Sequence, residues 1–141
     1  MNIAETKKLI KKHEGFRSVV YKDSLGFLTG GYGHSFLEGS PLSYSVTHML
    51  FEEDYAQAVS DFDILCKKYN LSLDSTRQSV LINMLFNMGL TKVLKFKKMI
   101  AAIQTGDYKK AADEMLDSVW AKQVGKRAVE LSQLMSEGKE I

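Results

Sequence analysis

The segment His13–His34 reads HEGFRSVVYKDSLGFLTGGYGH, and its pattern decides how the chain is expected to fold. Short runs of strand-forming residues are separated by turn residues through about 17–36, which predicts a small antiparallel sheet of two or three short strands. Three polar side chains stand out within it. Glu14 lies just before a glycine, Asp23 follows nine residues later, and Thr29 comes six residues further on, inside a glycine-rich run.

The chain on both sides of this segment reads as helical. Residues 3–14 combine helically spaced apolar residues with a lysine-rich face, and Gly15 predicts the end of that helix. A loop with the sequence LEGSPLS follows the sheet, and from about Ser43 to the end the pattern is that of successive helices. A helix, a small sheet and a helical bundle in this order indicate an α+β fold.

The segment VLINMLFNM is apolar nearly all round, which predicts the buried central helix of the bundle. Asp74 or Ser75 is the candidate N-cap of this helix, and Asp107 is the candidate N-cap of a later one. The first long helix is expected to bury a face that carries Val46, Met49, Leu50, Ala56 and Val59. The expected core of the helical part consists of Ile82, Met84, Leu85, Phe86, Met88, Phe96, Ile100, Ala111, Leu116 and Trp120.

The composition fits one globular unit of 141 residues, with 45% hydrophobic and 26% charged residues. We expect a single domain with a small lobe at about 14–45 and a helical lobe at about 46–141 that includes helix 3–13. A single cysteine excludes an internal disulfide. No signal peptide is predicted, because no unbroken apolar stretch follows the basic N-terminus, and no apolar run reaches membrane-spanning length.

Charge is distributed unevenly, although the formal net charge is only +2. Residues 1–22 are basic, residues 38–76 are acidic, and the chain beyond Leu90 is basic again. Solvated helix faces explain this pattern simply, and attraction to a polyanion is the alternative. The sequence contains no motif of nucleic-acid binding, so a nucleic-acid partner is not expected.

Glu14 and Asp23 stand in contrasting environments. Glu14 is expected at the C-terminal end of a helix, where the helix dipole opposes a further negative charge, and this suits a group that holds a proton and donates it. Asp23 is expected in an open turn that water reaches. Glycoside hydrolysis needs such a pair, because one acid protonates the leaving oxygen while the other carboxylate activates water or attacks. Taken alone, each residue is better explained by capping or turn chemistry.

The histidines and the cysteine do not indicate a metal site. The spacing of His13, His34, His48 and Cys66 matches no metal-ligand motif, and a lone histidine such as His34 is more often structural. The GGYG run lacks the Lys-Ser/Thr that follows in a phosphate-binding loop. No cofactor and no metal are therefore predicted.

Taken together, Glu14, Asp23, Thr29 and the run GYGH at 31–34 resemble the catalytic signature of the phage-type lysozymes, the endolysin family related to T-even bacteriophage lysozyme. The segments RQSVLINMLFNMG and AADEMLDSVWAKQVGKRAVEL are similar to the long buried helix and the C-terminal region of that family. The resemblance implies a two-lobed lysozyme-like fold. It also implies cleavage of the β-1,4 bond between N-acetylmuramic acid and N-acetylglucosamine in bacterial peptidoglycan.

The resemblance also implies a role for each matching residue. The implied catalytic residues are Glu14 as general acid, with Asp23 and Thr29 to position or activate water. The implied substrate-binding residues are Gly31, Tyr32, Asn87 and Arg127. Arg127 is expected to approach Glu14, and His34 and Asp54 are expected to form a supporting ion pair between the sheet and the next helix.

Two departures from the family pattern concern the small lobe. Gly30 replaces the usual aliphatic residue after the threonine, and only 19 residues separate His34 from Asp54, so we expect a trimmed lobe. Because the two carboxyl groups come from a helix end and a facing hairpin turn, we expect room for a water between them and therefore an inverting enzyme. We also expect a monomer that causes host lysis. It would wait in the cytoplasm of the infected host and reach the wall with the help of a holin, without inserting into the membrane. A lytic transglycosylase and a non-catalytic peptidoglycan-binding module on the same fold are the alternatives.

Overall fold

In the computed structural model, which describes residues 1–35 and 41–139, one helix leads into a small sheet and seven helices follow. The helices of the described residues are α1 (Ile3–Glu14), α2 (Tyr44–Tyr69), α3 (Ser75–Met88), α4 (Leu90–Val93), α5 (Lys97–Gln104), α6 (Tyr108–Leu116), α7 (Val119–Val124) and α8 (Lys126–Glu137). The strands are β1 (Arg17–Lys22), β2 (Leu28–Gly31) and β3 (His34–Ser35). The predicted α+β class is confirmed, while Phe36 and most of the LEGSPLS loop lie outside the described residues.

α1 begins and ends where its sequence predicts. The Asn2 side chain accepts a hydrogen bond from the Glu5 backbone N–H at 2.9 Å, and the Glu5 carboxylate accepts one from the Asn2 N–H at 3.2 Å. Gly15 ends the helix at a φ of 68°, and its N–H donates to the Lys11 carbonyl. Glu14 is therefore the last residue of α1, and its carboxyl group lies at the negative end of the helix.

β1, β2 and β3 form an antiparallel sheet in that order. Tyr21 on β1 pairs with Thr29 on β2, which pairs in turn with Ser35 on β3. Gly30 is buried and pairs with His34, so the unusual glycine is a regular member of the central strand. The sheet thus places the threonine of the sequence motif in its middle strand.

α2 buries a different face from the predicted one. Its buried side chains recur every three or four residues and are Thr47, Phe51, Tyr55, Ala58, Phe62 and Leu65. Val46 and Met49 were expected inside but are 42% and 58% exposed, and Ala56 is exposed as well. The prediction followed the aliphatic side chains, whereas α2 packs mainly through aromatic rings. The ring centroid of Phe51 lies 5.3 Å from that of Phe86 on α3.

α3 is the central helix of the core, as predicted. Residues 79–85 are buried throughout, and the Asp74 side chain caps the helix by accepting a hydrogen bond from the Arg77 N–H at 3.1 Å. The predicted core residues that are buried are Ile82, Met84, Leu85, Ile100, Ala111 and Trp120. Those that are partly buried and pack against the core are Phe86, Met88 and Phe96.

Leu116 is a wrong core prediction, since it is 45% exposed while Met115 is fully buried. By its sequence alone the segment DYKKAADEMLDSVWAK reads as one continuous helix, but α6 ends at Leu116. Ser118 then caps a new helix, with its hydroxyl oxygen accepting a hydrogen bond from the Ala121 N–H at 3.1 Å. Within α6 the buried residues are Ala111, Ala112 and Met115 at helical spacing, and Leu116 falls outside this buried face.

Candidate active site

The carboxyl group of Glu14 lies directly beneath the turn between β2 and β3. A Cβ atom placed on Gly33 would stand 2.5 Å from Glu14 Oε2, and Gly33 has a φ of 80°. Any side chain at this position would collide with the carboxylate and would also require an unfavourable left-handed backbone. The glycine of the GYGH motif is therefore explained by the close approach of this turn to Glu14.

Arg127 holds the other oxygen of Glu14. Its Nη1 atom donates to Glu14 Oε1 at 2.7 Å, which places the arginine next to the glutamate as predicted. The side chain of Arg127 is only 6% exposed. Burial lowers the pKa of Arg127, and the neighbouring charge of Glu14 acts in the opposite direction. A buried cation is thus paired with the candidate catalytic carboxylate.

Asn83 on α3 fixes the rest of the Arg127 guanidinium. The Asn83 Oδ1 atom accepts hydrogen bonds from Arg127 Nε at 3.0 Å and from Nη2 at 2.7 Å. Asn83 itself is buried, with 1% of its surface exposed. The planar guanidinium therefore has fixed partners on two sides, which sets its orientation toward Glu14.

His13 and Glu130 extend this network away from Glu14. The Asn83 amide nitrogen lies 3.3 Å from His13 Nδ1, and His13 Nε2 lies 3.2 Å from Glu130 Oε2. Desolvation by burial lowers the pKa of His13, and the hydrogen bond with Glu130 only partly opposes this. For Glu130, burial would raise the pKa, but the bonds from His13 and Lys12 outweigh burial and lower it. Asn83, His13 and Glu130 were not predicted as site residues. The one available signal in the sequence was that His13 directly precedes Glu14.

Asp23 closes the turn between β1 and β2. One of its oxygens, Oδ1, accepts hydrogen bonds from the backbone N–H groups of Leu25 at 2.9 Å and Phe27 at 2.8 Å. Thr29 is 7% exposed, and its hydroxyl group donates to the Phe27 carbonyl at 3.0 Å. Asp23 and Thr29 are thus fixed by the same hairpin. Asp23 has the structural role of a turn residue, and this role is compatible with the catalytic one that the resemblance implies.

His34 and Asp54 form the predicted contact between the sheet and α2. His34 Nδ1 lies 2.6 Å from Asp54 Oδ2, and both side chains are partly exposed. Gly31 packs against the same helix, because a Cβ atom there would lie 3.2 Å from the Cβ of Thr47. The sheet is thus joined to α2 by the hydrogen bond between His34 and Asp54 and by a close backbone approach.

Tyr32 and Asn87, two predicted substrate-binding residues, both have protein partners. The ring of Tyr32 lies 5.3 Å from that of Phe16 and 5.6 Å from that of Phe51, between centroids. The Asn87 Oδ1 atom accepts a hydrogen bond from Trp120 Nε1 at 2.7 Å. Each is therefore held in place by the fold, and any contact of either with a substrate is additional to these.

A groove of about 310 Å³ lies beside the turn that covers Glu14. Its lining comes from β3, α2 and α3 and from the residues next to them, and includes Gly33, His34, Asp54, Asp61 and Phe86. Glu14 itself lines neither this groove nor a larger one of about 600 Å³ between α1 and α8, so volume alone does not identify the site. The smaller groove shares Gly33 with the Glu14 site, which makes it the better candidate for binding substrate next to the carboxyl group.

A helix-end glutamate lies under the motif turn of a small sheet, and the rest of the described chain is mainly helical, as the resemblance to lysozyme-type glycoside hydrolases implies. Comparisons with known proteins agree. The family model described as phage lysozyme matches residues 11–135, and the chain belongs to this family. It is an enzyme of the muramidase type, which hydrolyses peptidoglycan.

Three relatives show how far the similarity extends. "Probable T4-type lysozyme 2" of Dictyostelium discoideum is 32% identical over 89% of this chain and 90% of its own length. "Probable T4-type lysozyme 1" of the same organism is 28% identical over the same shares. The "Pre-baseplate central spike protein Gp5" of Enterobacteria phage T4 is 29% identical over 98% of this chain, which corresponds to 28% of that protein.

Two further findings concern the described residues, 1–35 and 41–139. No helix among them is both long and apolar enough to cross a membrane. Within the same ranges, no group of three or more His, Cys, Asp and Glu side chains is arranged to hold a metal ion.

Proposed function

We propose that this enzyme hydrolyses the β-1,4 bond between N-acetylmuramic acid and N-acetylglucosamine, with Glu14 as the general acid. The observation that carries the proposal is the fixed carboxyl group of Glu14, held by Arg127 at 2.7 Å and covered by the turn at Gly33. A positioned acid can protonate the leaving oxygen of a glycosidic bond.

Arg127 favours the charge that Glu14 acquires during this step. The Arg127 guanidinium lies against Glu14, with Nη1 donating to Oε1 at 2.7 Å. As the proton moves to the sugar oxygen, negative charge develops on Glu14, and the buried cation beside it stabilises that charge. In the proposal Arg127 therefore assists catalysis as well as substrate binding.

Asp23 and Thr29 position the water in this mechanism. The two backbone bonds to Asp23 both use Oδ1, which leaves Oδ2 to accept a proton from water. The Thr29 hydroxyl group donates its hydrogen to the Phe27 carbonyl, so the hydroxyl oxygen can accept a hydrogen bond from the same water. A water between acid and base gives inversion, for which the two carboxyl groups stand roughly 6.5–9.5 Å apart.

The groove that contains Gly33, His34 and Phe86 is the proposed binding site for the glycan. Gly31, Tyr32, Asn87 and Arg127 would contribute directly or by shaping its walls, and His34 with Asp54 would keep β3 in place.

We propose a monomer without a nucleic-acid partner. The proposed biological role is host cell lysis, with a separate holin giving the enzyme access to the wall from the host cytoplasm.

Mass spectrometry of the fragments released from purified peptidoglycan tests this function. Hydrolysis gives fragments with a free reducing muramic acid, and inversion gives the α-anomer first, which NMR detects. A product with a 1,6-anhydro ring would instead show a lytic transglycosylase. Binding to peptidoglycan without release of any fragment would show a non-catalytic module, and either result would overturn the proposal.

A further inference from the structure

The hydrogen-bond donors of Arg127 determine the orientation of the Asn83 amide, that is, which of its two terminal atoms is the oxygen and which is the nitrogen. Arginine has donors and no acceptor, so the Asn83 atom that receives bonds from Nε and Nη2 must be the oxygen. The Asn83 NH₂ group then faces His13 Nδ1 at 3.3 Å. Because that group is a donor, His13 Nδ1 must carry a lone pair. The ring hydrogen of neutral His13 is therefore on Nε2, from which it is donated to Glu130.

We propose that His13 is a positioning residue whose neutral ring fixes the Asn83 amide, so that Arg127 holds Glu14, and that a proton on His13 Nδ1 breaks this arrangement. A protonated ring would present Nδ1–H to the NH₂ group of Asn83, which places two donors against each other. Turning the Asn83 amide would satisfy His13 but would point the NH₂ group at the guanidinium. Either outcome weakens the hydrogen bonds through which Asn83 orients Arg127. This proposal rests on the proposed role of Glu14 as the acid.

The charged surroundings of His13 come from two helices. From α8, Glu130 favours the protonated ring and Arg127 opposes it, while Lys12 on α1 also opposes it. The third helix, α3, contributes the neutral Asn83. The side chain of His13 is only 5% exposed, so burial further disfavours its charge. At neutral pH the ring is therefore uncharged and the network is intact.

NMR of the wild-type protein across the acid range tests the coupling directly. With ¹⁵N-labelled histidine and arginine, we expect the His13 ring to carry its hydrogen on Nε2 at pH 7. We also expect the Arg127 Nε–H signal to shift with the same midpoint as the His13 titration. Two results would overturn the proposal: a neutral His13 ring with its hydrogen on Nδ1, or an Arg127 Nε–H signal that does not shift as His13 titrates. This measurement needs no catalysis, so it remains decisive even if peptidoglycan is not cut.

Two amide variants separate the two ring nitrogens. The amide of His13→Asn places an acceptor near the position of Nδ1, whereas that of His13→Gln reaches toward the position of Nε2. We expect the Asn variant to lose less kcat at pH 7 than the Gln variant. It should also lack the fall in kcat that the proposal predicts for the wild type at a pH below 6.5. The Gln variant should lose about tenfold in kcat with KM little changed, as expected for a bond to a charged group that matters only in the transition state.

His48→Asn is the matched control, since this histidine lies on the exposed side of α2. It should leave the pH profile of kcat unchanged. An acid limb in His13→Asn identical to that of the wild type would refute the proposal. If His13→Gln proves unfolded, the Asn variant and the wild-type NMR titration still decide the matter. A wild type that releases no fragments at any pH would contradict the proposed function, while the coupling of His13 to Arg127 would be judged by NMR alone.

Discussion

Glu14 illustrates how a common residue acquires a chemical role through its neighbours. Its position at the end of α1 follows from Gly15, and its orientation follows from Arg127 and from the turn at Gly33. The resemblance to a known family correctly placed Arg127 beside Glu14. Asn83 and His13 could not be found in this way, because a buried asparagine in an apolar helix and a histidine in a basic helix have no distinctive pattern on their own.

Replacing Glu14 by glutamine removes the transferable proton and also the negative charge that is paired with buried Arg127. We expect Glu14→Gln to lower kcat by about 10²–10⁴-fold, the usual contribution of a general acid, because an amide cannot protonate the leaving oxygen. Asp23→Asn should also cripple hydrolysis, and Thr29→Ala should weaken it by displacing the water. Fragment release from peptidoglycan measures all three, and thermal unfolding checks that each variant is folded. Wild-type turnover in Glu14→Gln would refute the mechanism.

Gly33→Ala tests the close approach of the turn to Glu14. Gly33 and Gly106 have φ values of 80° and 76°, but only at Gly33 would a Cβ meet another group, the Glu14 carboxylate. Both alanine variants should lose about 1–2 kcal/mol of stability from the left-handed backbone. Only Gly33→Ala should also lose activity, by at least about tenfold, because the carboxylate must leave its bond with Arg127. Equal activities in the two variants would show that the contact is unimportant.

At the scale of elements, the sequence predicts helix ends well and buried faces less well. The caps at Asp74 and Asp107 are present, since a side-chain oxygen at a helix start acts locally. The buried face of α2 was misjudged because burial depends on what packs against the helix, and here aromatic rings of other elements select Phe51. The break after Leu116 was also missed, because Asp117 and Ser118 are acceptable inside a helix by their spacing alone.

Leu85 and Leu116 form a matched pair for testing the core. Leu85 is 3% exposed on α3, whereas Leu116 is 45% exposed at the end of α6. Leu85→Ala should destabilise the protein by about 2–5 kcal/mol, because it leaves a cavity in a packed interior. Leu116→Ala should cost under about 1 kcal/mol, since little area is lost from the core. Urea unfolding of the two variants measures the difference, and equal costs would mean that the core is misplaced.

At the scale of the whole molecule, both ends of the described chain contribute to one site. α1 supplies Glu14 and His13, while α8 supplies Arg127 and Glu130. α3 joins them through Asn83. The family match covers residues 11–135 and so includes every member of this network. The division into two lobes at about residue 46 stays a prediction.

The pH dependence of stability should reflect the buried state of His13. Its pKa in the folded protein lies below the ordinary value of 6.5, so between these two pH values the unfolded chain binds the proton more readily. The stability that this residue contributes is therefore full above pH 6.5 and is lost as pH falls toward its folded pKa. The pKa of Glu130 is lowered as well, so its contribution is lost only below about 4.5.

Thermal unfolding of the wild type and of His13→Asn from pH 4.5 to 8 measures the histidine contribution. The difference in stability between the two proteins should be constant above pH 6.5 and should change steadily below it, at the expense of the wild type. A difference that is constant over the whole range would show that His13 titrates in the folded protein as it does in the unfolded chain.

The contact between Glu14 and Arg127 spans 113 residues of sequence, which has a consequence for biosynthesis. Glu14 leaves the ribosome early, and its cation follows only after α2 to α7 have been made. Until then a nascent chain carries the glutamate of the motif without the arginine and without α8, against which α1 and α3 form the network. A message that ends before α8 would therefore yield a chain with the full signature of the motif and no arginine beside the glutamate, so that enzymatic activity is expected only once α8 has been made.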